Sequence, residues 1–170
     1  MVDTQEGAAG LIVVGVDGSE HAEHALRYAF AEATRRVAKV RAVTAFEPPE
    51  AWAFAWGLPG LPDSGEARRG VEEKAREWVE GVRASLPERL QAVPCDVEAT
   101  TGPPTVVLVH AARDADVLVV GNRGRGALQS AMLGSVGLGC VVHADCPVII
   151  VPPPRAFADS SVSSAPSDRG

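Results

Sequence analysis

The sequence predicts a single α/β domain built on an open, five-stranded parallel sheet with helices on both faces, and three observations carry that expectation. Leu11 to Val16 (LIVVGV) and Val117 to Val120 (VLVV) are almost wholly apolar, and each runs into a glycine-bearing turn. A strand apolar on both sides must be covered on both sides, which is the condition of a parallel sheet flanked by helices. Segments with apolar residues at three-four spacing lie between such runs, so strands and helices alternate along the chain. The length of 170 residues, 46% of them hydrophobic, suits one domain with its own core.

The first strand, Leu11 to Val16, ends at Asp17-Gly18-Ser19, where Ser19 is placed to cap a helix. The buried face of that helix reads Ala22, Ala25, Leu26, Ala29, Phe30 and Ala33. Val40 to Phe46 (VRAVTAF) suits a second strand, stopped by Pro48-Pro49. Residues 47–65 then form a long irregular connection, because Pro48, Pro49, Gly57, Pro59, Gly60 and Pro62 interrupt any helix. Its Trp52, Phe54 and Trp56 have two readings: anchors of the loop on the core, the commoner use of such residues, or a cover for a ligand or partner surface.

Glu66 to Leu86 resumes helical spacing through Val71, Ala75, Trp78, Val79, Val82 and Leu86. Val93 to Thr100 is a weak third strand, and Gly102-Pro103-Pro104 introduces a short helix through Val107, Leu108 and Ala111. Asp116 precedes the fourth strand, Val117 to Val120. Ser135 to Ala144 reads as a poor helix, because Gly137 and Gly139 each cost about 1 kcal/mol relative to Ala. Val148 to Val151 is the last strand, stopped by Pro152-Pro153-Pro154. The expected organisation is a flexible N-terminus over 1–10, a folded domain over 11–152, and a disordered tail over 153–170, where Ser, Ala, Asp and Pro dominate.

Composition excludes several functions. With 16 Lys and Arg against 22 Asp and Glu, the net charge of −6 supplies no field to hold a polyanion, so a nucleic-acid partner is not expected. Cys95, Cys140 and Cys146 are odd in number and never spaced as CxxC, so neither a disulfide framework nor a structural zinc site is indicated. No leader pattern opens the chain and no apolar run approaches membrane-spanning length, which points to a cytoplasmic protein with no membrane partner. A Gly-Lys-Ser/Thr phosphate loop and a GxGxxG dinucleotide turn are both absent. His21, His24, His110 and His143 show no metal spacing and read as surface or packing residues. Cys140 and Cys146 read as packing beside the last strand, with no cationic neighbour to activate a thiolate.

Parallel sheets bind ligands at the carboxyl ends of strands, where strand order reverses, so the turns after Val16 and Val120 carry the functional question. The second reads Gly121-Asn122-Arg123-Gly124, then nine residues, then Gly134-Ser135 opening a helix. Glycines admit close approach of backbone amides, a helix N-terminus adds unpaired N–H groups, and the Ser135 hydroxyl adds a donor; together they suit a phosphate chain. For any single glycine, a plain turn is the simpler account.

The pattern G-x2-G-x9-G-S at Gly121, Gly124, Gly134 and Ser135 resembles the nucleotide-binding signature of the universal stress protein family. Four further stretches agree in order and spacing: Val14 to Ser19 (VGVDGS), Gly102-Pro103, Asp116 to Gly124 (DVLVVGNRG) and Cys146 to Val151 (CPVIIV). The resemblance implies a Rossmann-like sheet of order 3-2-1-4-5 that binds ATP, or another adenine nucleotide, across strands 1 and 4. It implies that Asp17 and the backbone of Ala45 contact the adenosine end, with Gly15 and Val16 beside it. Val120 leads into Gly121, Gly124, Gly134, Ser135 and Val136, which hold ribose and phosphates. Arg123 and Arg125 are candidate cationic contacts, against the plain reading of solvated arginines. Asp17 has a second reading as a turn residue.

One position departs from the family pattern: many relatives carry a hydroxyl two places after the Ser, where this chain has Gly137, which removes a phosphate donor. Mg²⁺ is expected to arrive with the nucleotide, held by phosphate oxygens and water, because the loop offers no carboxylate cluster. The implied function is nucleotide-dependent sensing or regulation in a stress response rather than catalysis, since Gly121 to Gly134 holds no Asp, Glu or His to act as a base. The alternatives are a slow ATP hydrolase and an interaction protein that makes no use of nucleotide. A homodimer is expected through the last strand, Val148, Ile149, Ile150 and Val151, an apolar sheet edge.

Overall fold

Five parallel strands, β1 (Gly10–Gly15), β2 (Ala38–Phe46), β3 (Cys95–Thr101), β4 (Val117–Gly121) and β5 (Val148–Val151), form one sheet of order β3-β2-β1-β4-β5. The computed structural model describes residues 10–47, 64–124 and 133–152. Readings that fall on Arg125, on the aromatic loop with Trp52, Phe54 and Trp56, or on the two chain ends lie outside the described residues.

The sheet sits between two apolar clusters, and the alternation along β1 shows how they are divided. Ile12 and Val14 enter one cluster with Leu26 and Phe30 of α1 (Glu20–Arg36) and with Val79 and Val82 of α2 (Ser64–Ala84). Leu11 and Val13 enter the other with Val107 and Leu108 of α4 (Pro104–Ala111) and Cys140 of α5 (Ser135–His143). Period-two alternation thus sends neighbouring side chains of one strand to opposite helical layers.

Several local results differ from expectation, each for a visible reason. β1 begins at Gly10, inside the stretch expected to be flexible, because Gly10 pairs with Ala38 and lies against Asp116. A Cβ at Gly10 would sit 2.6 Å from Asp116 Oδ2, the oxygen that accepts the Leu11 N–H at 2.8 Å. Val16 falls outside the strand, yet its N–H still donates to Val43 O at 2.9 Å. Ser85 and Leu86 leave α2 in a turn, and a short α3 (Glu88–Gln91), unforeseen in the sequence, follows Pro87. The Arg83 guanidinium ties that turn down by donating to the carbonyls of Gln91 and Val93.

The segment read as a poor helix is a nine-residue helix, α5. Its glycines are contact points. A Cβ at Gly139 would lie 2.7 Å from Thr105 Cγ2 of α4, and one at Gly137 would lie 3.4 Å from Ile150 Cδ1 of β5. Close packing of α5 on α4 and β5 offsets the conformational cost of glycine.

Candidate nucleotide site

Sheet order places the carboxyl ends of β1 and β4 side by side, with α1 leaving one and the loop toward α5 leaving the other. The Asp17 turn is locally built: Asp17 Oδ1 accepts the Ser19 N–H at 2.9 Å, and Ser19 Oγ accepts the Ala22 N–H at 3.2 Å as the cap of α1. The turn reading of Asp17 is therefore realised. Its other carboxylate oxygen faces the second loop, because a Cβ at Gly124 would lie 3.1 Å from Asp17 Oδ2. Asp17 and Gly124, 107 positions apart in number, thus meet across the crevice.

The second loop is closed on α5 by a backbone tie, the Gly134 N–H donating to Asn122 O at 2.8 Å. A Cβ at Gly134 would lie 3.3 Å from that oxygen and 3.4 Å from Arg123 Cα, so the glycine lets the two ends of the loop approach. Asn122 in turn donates its N–H to Val151 O at 3.0 Å, which anchors the loop to β5.

The two helix N-termini at this crevice differ in what they offer. α1 is capped by Ser19 and has Glu20 and Glu23 in its first turn, so its positive end is already answered. α5 starts after Gly134 with no side-chain cap and no acidic residue in its first turn. Its first N–H groups and the exposed Ser135 are the groups at which an anion gains most. Nearby, Asn122 Oδ1 is buried with no hydrogen-bond partner among the described residues. A polar crevice with an uncapped helix end and an unanswered buried acceptor fits a ligand carrying both a phosphate and hydrogen-bond donors.

Other residues singled out in the sequence have structural work of their own. A Cβ at Gly121 would meet His21 O at 2.7 Å, so this glycine admits α1 against β4. Gly15 yields its side-chain space to Leu108, whose Cδ1 would be 2.9 Å from a Cβ there. Val16 and Val120 are buried core residues, and Ala45 and Val136 pack partly buried on the α4–α5 cluster. Arg123 is half-buried in the loop. Asn122 went unremarked in the sequence; its only signal was its place inside the G-x2-G turn.

Burial disfavours the thiolate form at all three cysteines. Burial pushes the thiols of Cys95 and Cys140 up to about 11 and raises Cys146 in the same direction. Among the described residues no cluster of three or more His, Cys, Asp or Glu is placed to hold a metal ion, and no helix is long and apolar enough to cross a membrane.

An open parallel sheet of order 3-2-1-4-5, with an uncapped glycine-led helix at the switch between β1 and β4, defines a Rossmann-like domain. The universal stress protein family model matches residues 10–152, and the chain belongs to that family. It is 36% identical over 143 residues to a universal stress protein of Thermus aquaticus, covering 82% of this chain and 96% of that protein. It is 34% identical over 142 residues to one of Mycobacterium tuberculosis, covering 82% of this chain but 44% of the relative, so the chain spans about half the length of such relatives. Among solved structures, a universal stress protein in complex with cAMP aligns with a TM-score of 0.56 and 27% identity over 85% of this chain and 97% of the other. A family member from Burkholderia pseudomallei aligns at 0.58 and 24% identity over 84% and 96%, which bears on the fold alone.

Proposed function

We propose that this chain binds an adenine nucleotide, ATP with Mg²⁺ carried on its phosphates, in the crevice between β1 and β4, and acts as a cytoplasmic nucleotide-dependent regulator in a stress response. The observation that carries the reading is the meeting of the Asp17 turn with the Gly124 loop beside the uncapped start of α5. Asp17 and the Ala45 backbone would address the adenosine end, with Gly15 and Val16 behind them. Gly121, Gly124, Gly134, Ser135 and Val136 would line the ribose and phosphates, with Val120 beneath and Arg123 at the rim. The cAMP complex of a similar protein supports the ligand class. Two copies would pair along the β5 edge, Val148 to Val151, which has no sheet neighbour beyond it in the strand order.

The ligand chemistry follows from what the residues can donate. Backbone N–H groups and the Ser135 hydroxyl stabilise phosphate oxygens in the ground state, and no base stands in Gly121 to Gly134 to activate water. Mg²⁺ would neutralise phosphate charge when bound. Calorimetry tests the reading. Ser135→Ala, at an exposed position, should weaken ATP about tenfold while leaving adenosine unaffected, as expected for one hydrogen bond to a charged group. Asp17→Ala should weaken both ligands alike. Wild-type protein that binds no adenine nucleotide, by calorimetry and by mass spectrometry of the purified protein, would refute the proposal. ATP turnover of about 1 per second or faster, lost in Ser135→Ala, would make the protein an ATPase instead.

A further inference from the structure

Asn122 stands between the two glycines of the G-x2-G turn, directly after β4, and its backbone is engaged at both ends. Its N–H donates to Val151 O at 3.0 Å and its carbonyl accepts the Gly134 N–H at 2.8 Å, so one residue ties the end of β4 to β5 and to the start of α5. On either side the turn is held close, Gly121 against His21 of α1 and Gly124 against the Asp17 carboxylate. The side chain is the part left uncommitted. Its Oδ1 is out of contact with solvent and has no hydrogen-bond partner among the described residues, although the residue as a whole is only partly buried. A buried amide oxygen in that state has given up water and gained nothing in exchange, and such groups are rare enough in folded proteins to call for a reason.

We infer that Asn122 reads the sugar of the bound nucleotide, its Oδ1 accepting a hydrogen bond from a ribose hydroxyl and so favouring ribonucleotides over their deoxy counterparts. The inference rests on the adenine-nucleotide reading above and sharpens it. An acceptor needs a donor, and an adenine nucleotide has few. Ionised phosphates only accept, so they cannot answer Oδ1. The exocyclic amine lies at the adenosine end, which that reading gives to Asp17 and the Ala45 backbone. The 2′ and 3′ hydroxyls remain. The sugar joins base to phosphates, just as the Asn122 turn joins the Asp17 contact at Gly124 to the start of α5 at Gly134. With the backbone tied, rotation about the side-chain bonds is enough to turn the amide toward the crevice, a motion open to a partly buried residue without unpacking the loop. A ribose hydroxyl then fills the acceptor's deficit, whereas a deoxy sugar leaves it unfilled.

The test is a ratio of affinities, measured by calorimetry with ATP, 2′-deoxy-ATP and 3′-deoxy-ATP. Wild-type protein should bind at least one deoxy analogue about tenfold more weakly than ATP, and which one identifies the hydroxyl. Asn122→Ala, with circular dichroism to verify the fold, should bind ATP no better than that analogue, so the ratio falls to about one. Asn122→Asp keeps an acceptor at the same place; its charge should weaken all three ligands while the ratio survives. A purely structural Asn122 would move all affinities together and leave the ratio of Asn122→Ala as in wild type, which would overturn the inference. Equal binding of ATP and both analogues by wild-type protein would overturn it too, with the nucleotide site left standing and no variant required. Wild-type protein that binds none of the three would instead refute the nucleotide reading itself, and this inference with it.

Discussion

On one side of the sheet, α1 and α2 turn ion pairs outward, Glu23 with Arg27, Glu72 with Arg68 and Arg76, Glu80 with Arg83, while the buried Glu32 is met by the exposed Arg35 and Arg36. On the other side, α4 and α5 present valine, leucine and glycine, and the charges wait until Arg113 and Asp145 beyond their ends. Both layers cover the same strands. The difference lies in what they face outside: exposed ion pairs add at most about 1 kcal/mol each and chiefly keep a surface solvated, whereas an uncharged outer face leaves burial incomplete. The first layer is finished by water, whereas the second leaves Val106, Leu138, Val141 and Val142 exposed.

The largest effects should come from the core beneath each layer. Phe30→Ala, under α1, is expected to cost about 3–5 kcal/mol by urea denaturation, and Leu108→Ala, under α4, about 2–5 kcal/mol. A negligible loss at Leu108 would mean that the α4–α5 layer adds little to the monomer and would break the comparison at its base.

Next in size is the contact between the short helices. Gly139→Ala should lose about 1–3 kcal/mol through overpacking on Thr105, although Ala is the better helix former, and Thr105→Ala should recover most of it. Additive effects in that double-mutant cycle would show that α4 and α5 adjust freely, and the close approach would lose its meaning.

This contact also marks the limit of what was legible in the sequence. The charged layer announces itself by period: apolar residues at Ala22, Leu26, Phe30 and at Ala75, Val79, Val82 alternate with charge, so one face can only point inward. In α4 and α5 there is no polar face to contrast with the apolar one. Their existence was readable from Pro104 and from Gly134-Ser135, while the glycines of α5 counted against it. The fact that reverses their sign, Thr105 lying against Gly139, is a tertiary contact 34 positions away. The crevice divides in the same manner. Glycine spacing disclosed which loops matter, but the facing of Asp17 and Gly124, the packing roles of Gly15 and Gly121, and the unanswered Asn122 acceptor depend on how the loops meet.

Smaller effects should sharpen the description of the charged layer. α1 ends at Val37, 83% exposed with φ of 53°, a left-handed conformation that a β-branched residue adopts only under strain. Val37→Gly should therefore raise stability by about 1 kcal/mol, seen as a higher urea midpoint. Hydrogen bonds from Arg36, then Arg35, hold the Glu32 carboxyl below its usual 4.5. A carboxylate with a depressed folded pKa stabilises above its unfolded value and loses that contribution as pH falls through the folded one. Urea midpoints taken downward from about pH 6 should fall less steeply below 4.5 in Glu32→Gln than in wild type, and parallel curves would show the cluster to be ornamental to acid stability.

The hydrogen bond from Leu11 to Asp116 spans 105 positions, and it has a consequence in time. β1 is the middle strand, so one of its edges is filled early by β2, but the other waits for β4. At ribosomal rates of about 5–20 residues per second, some 5–20 s separate the emergence of Leu11 from that of Asp116. Throughout that interval the β1 edge that will meet β4 has no native partner, so it is the edge of the nascent chain most open to stray pairing.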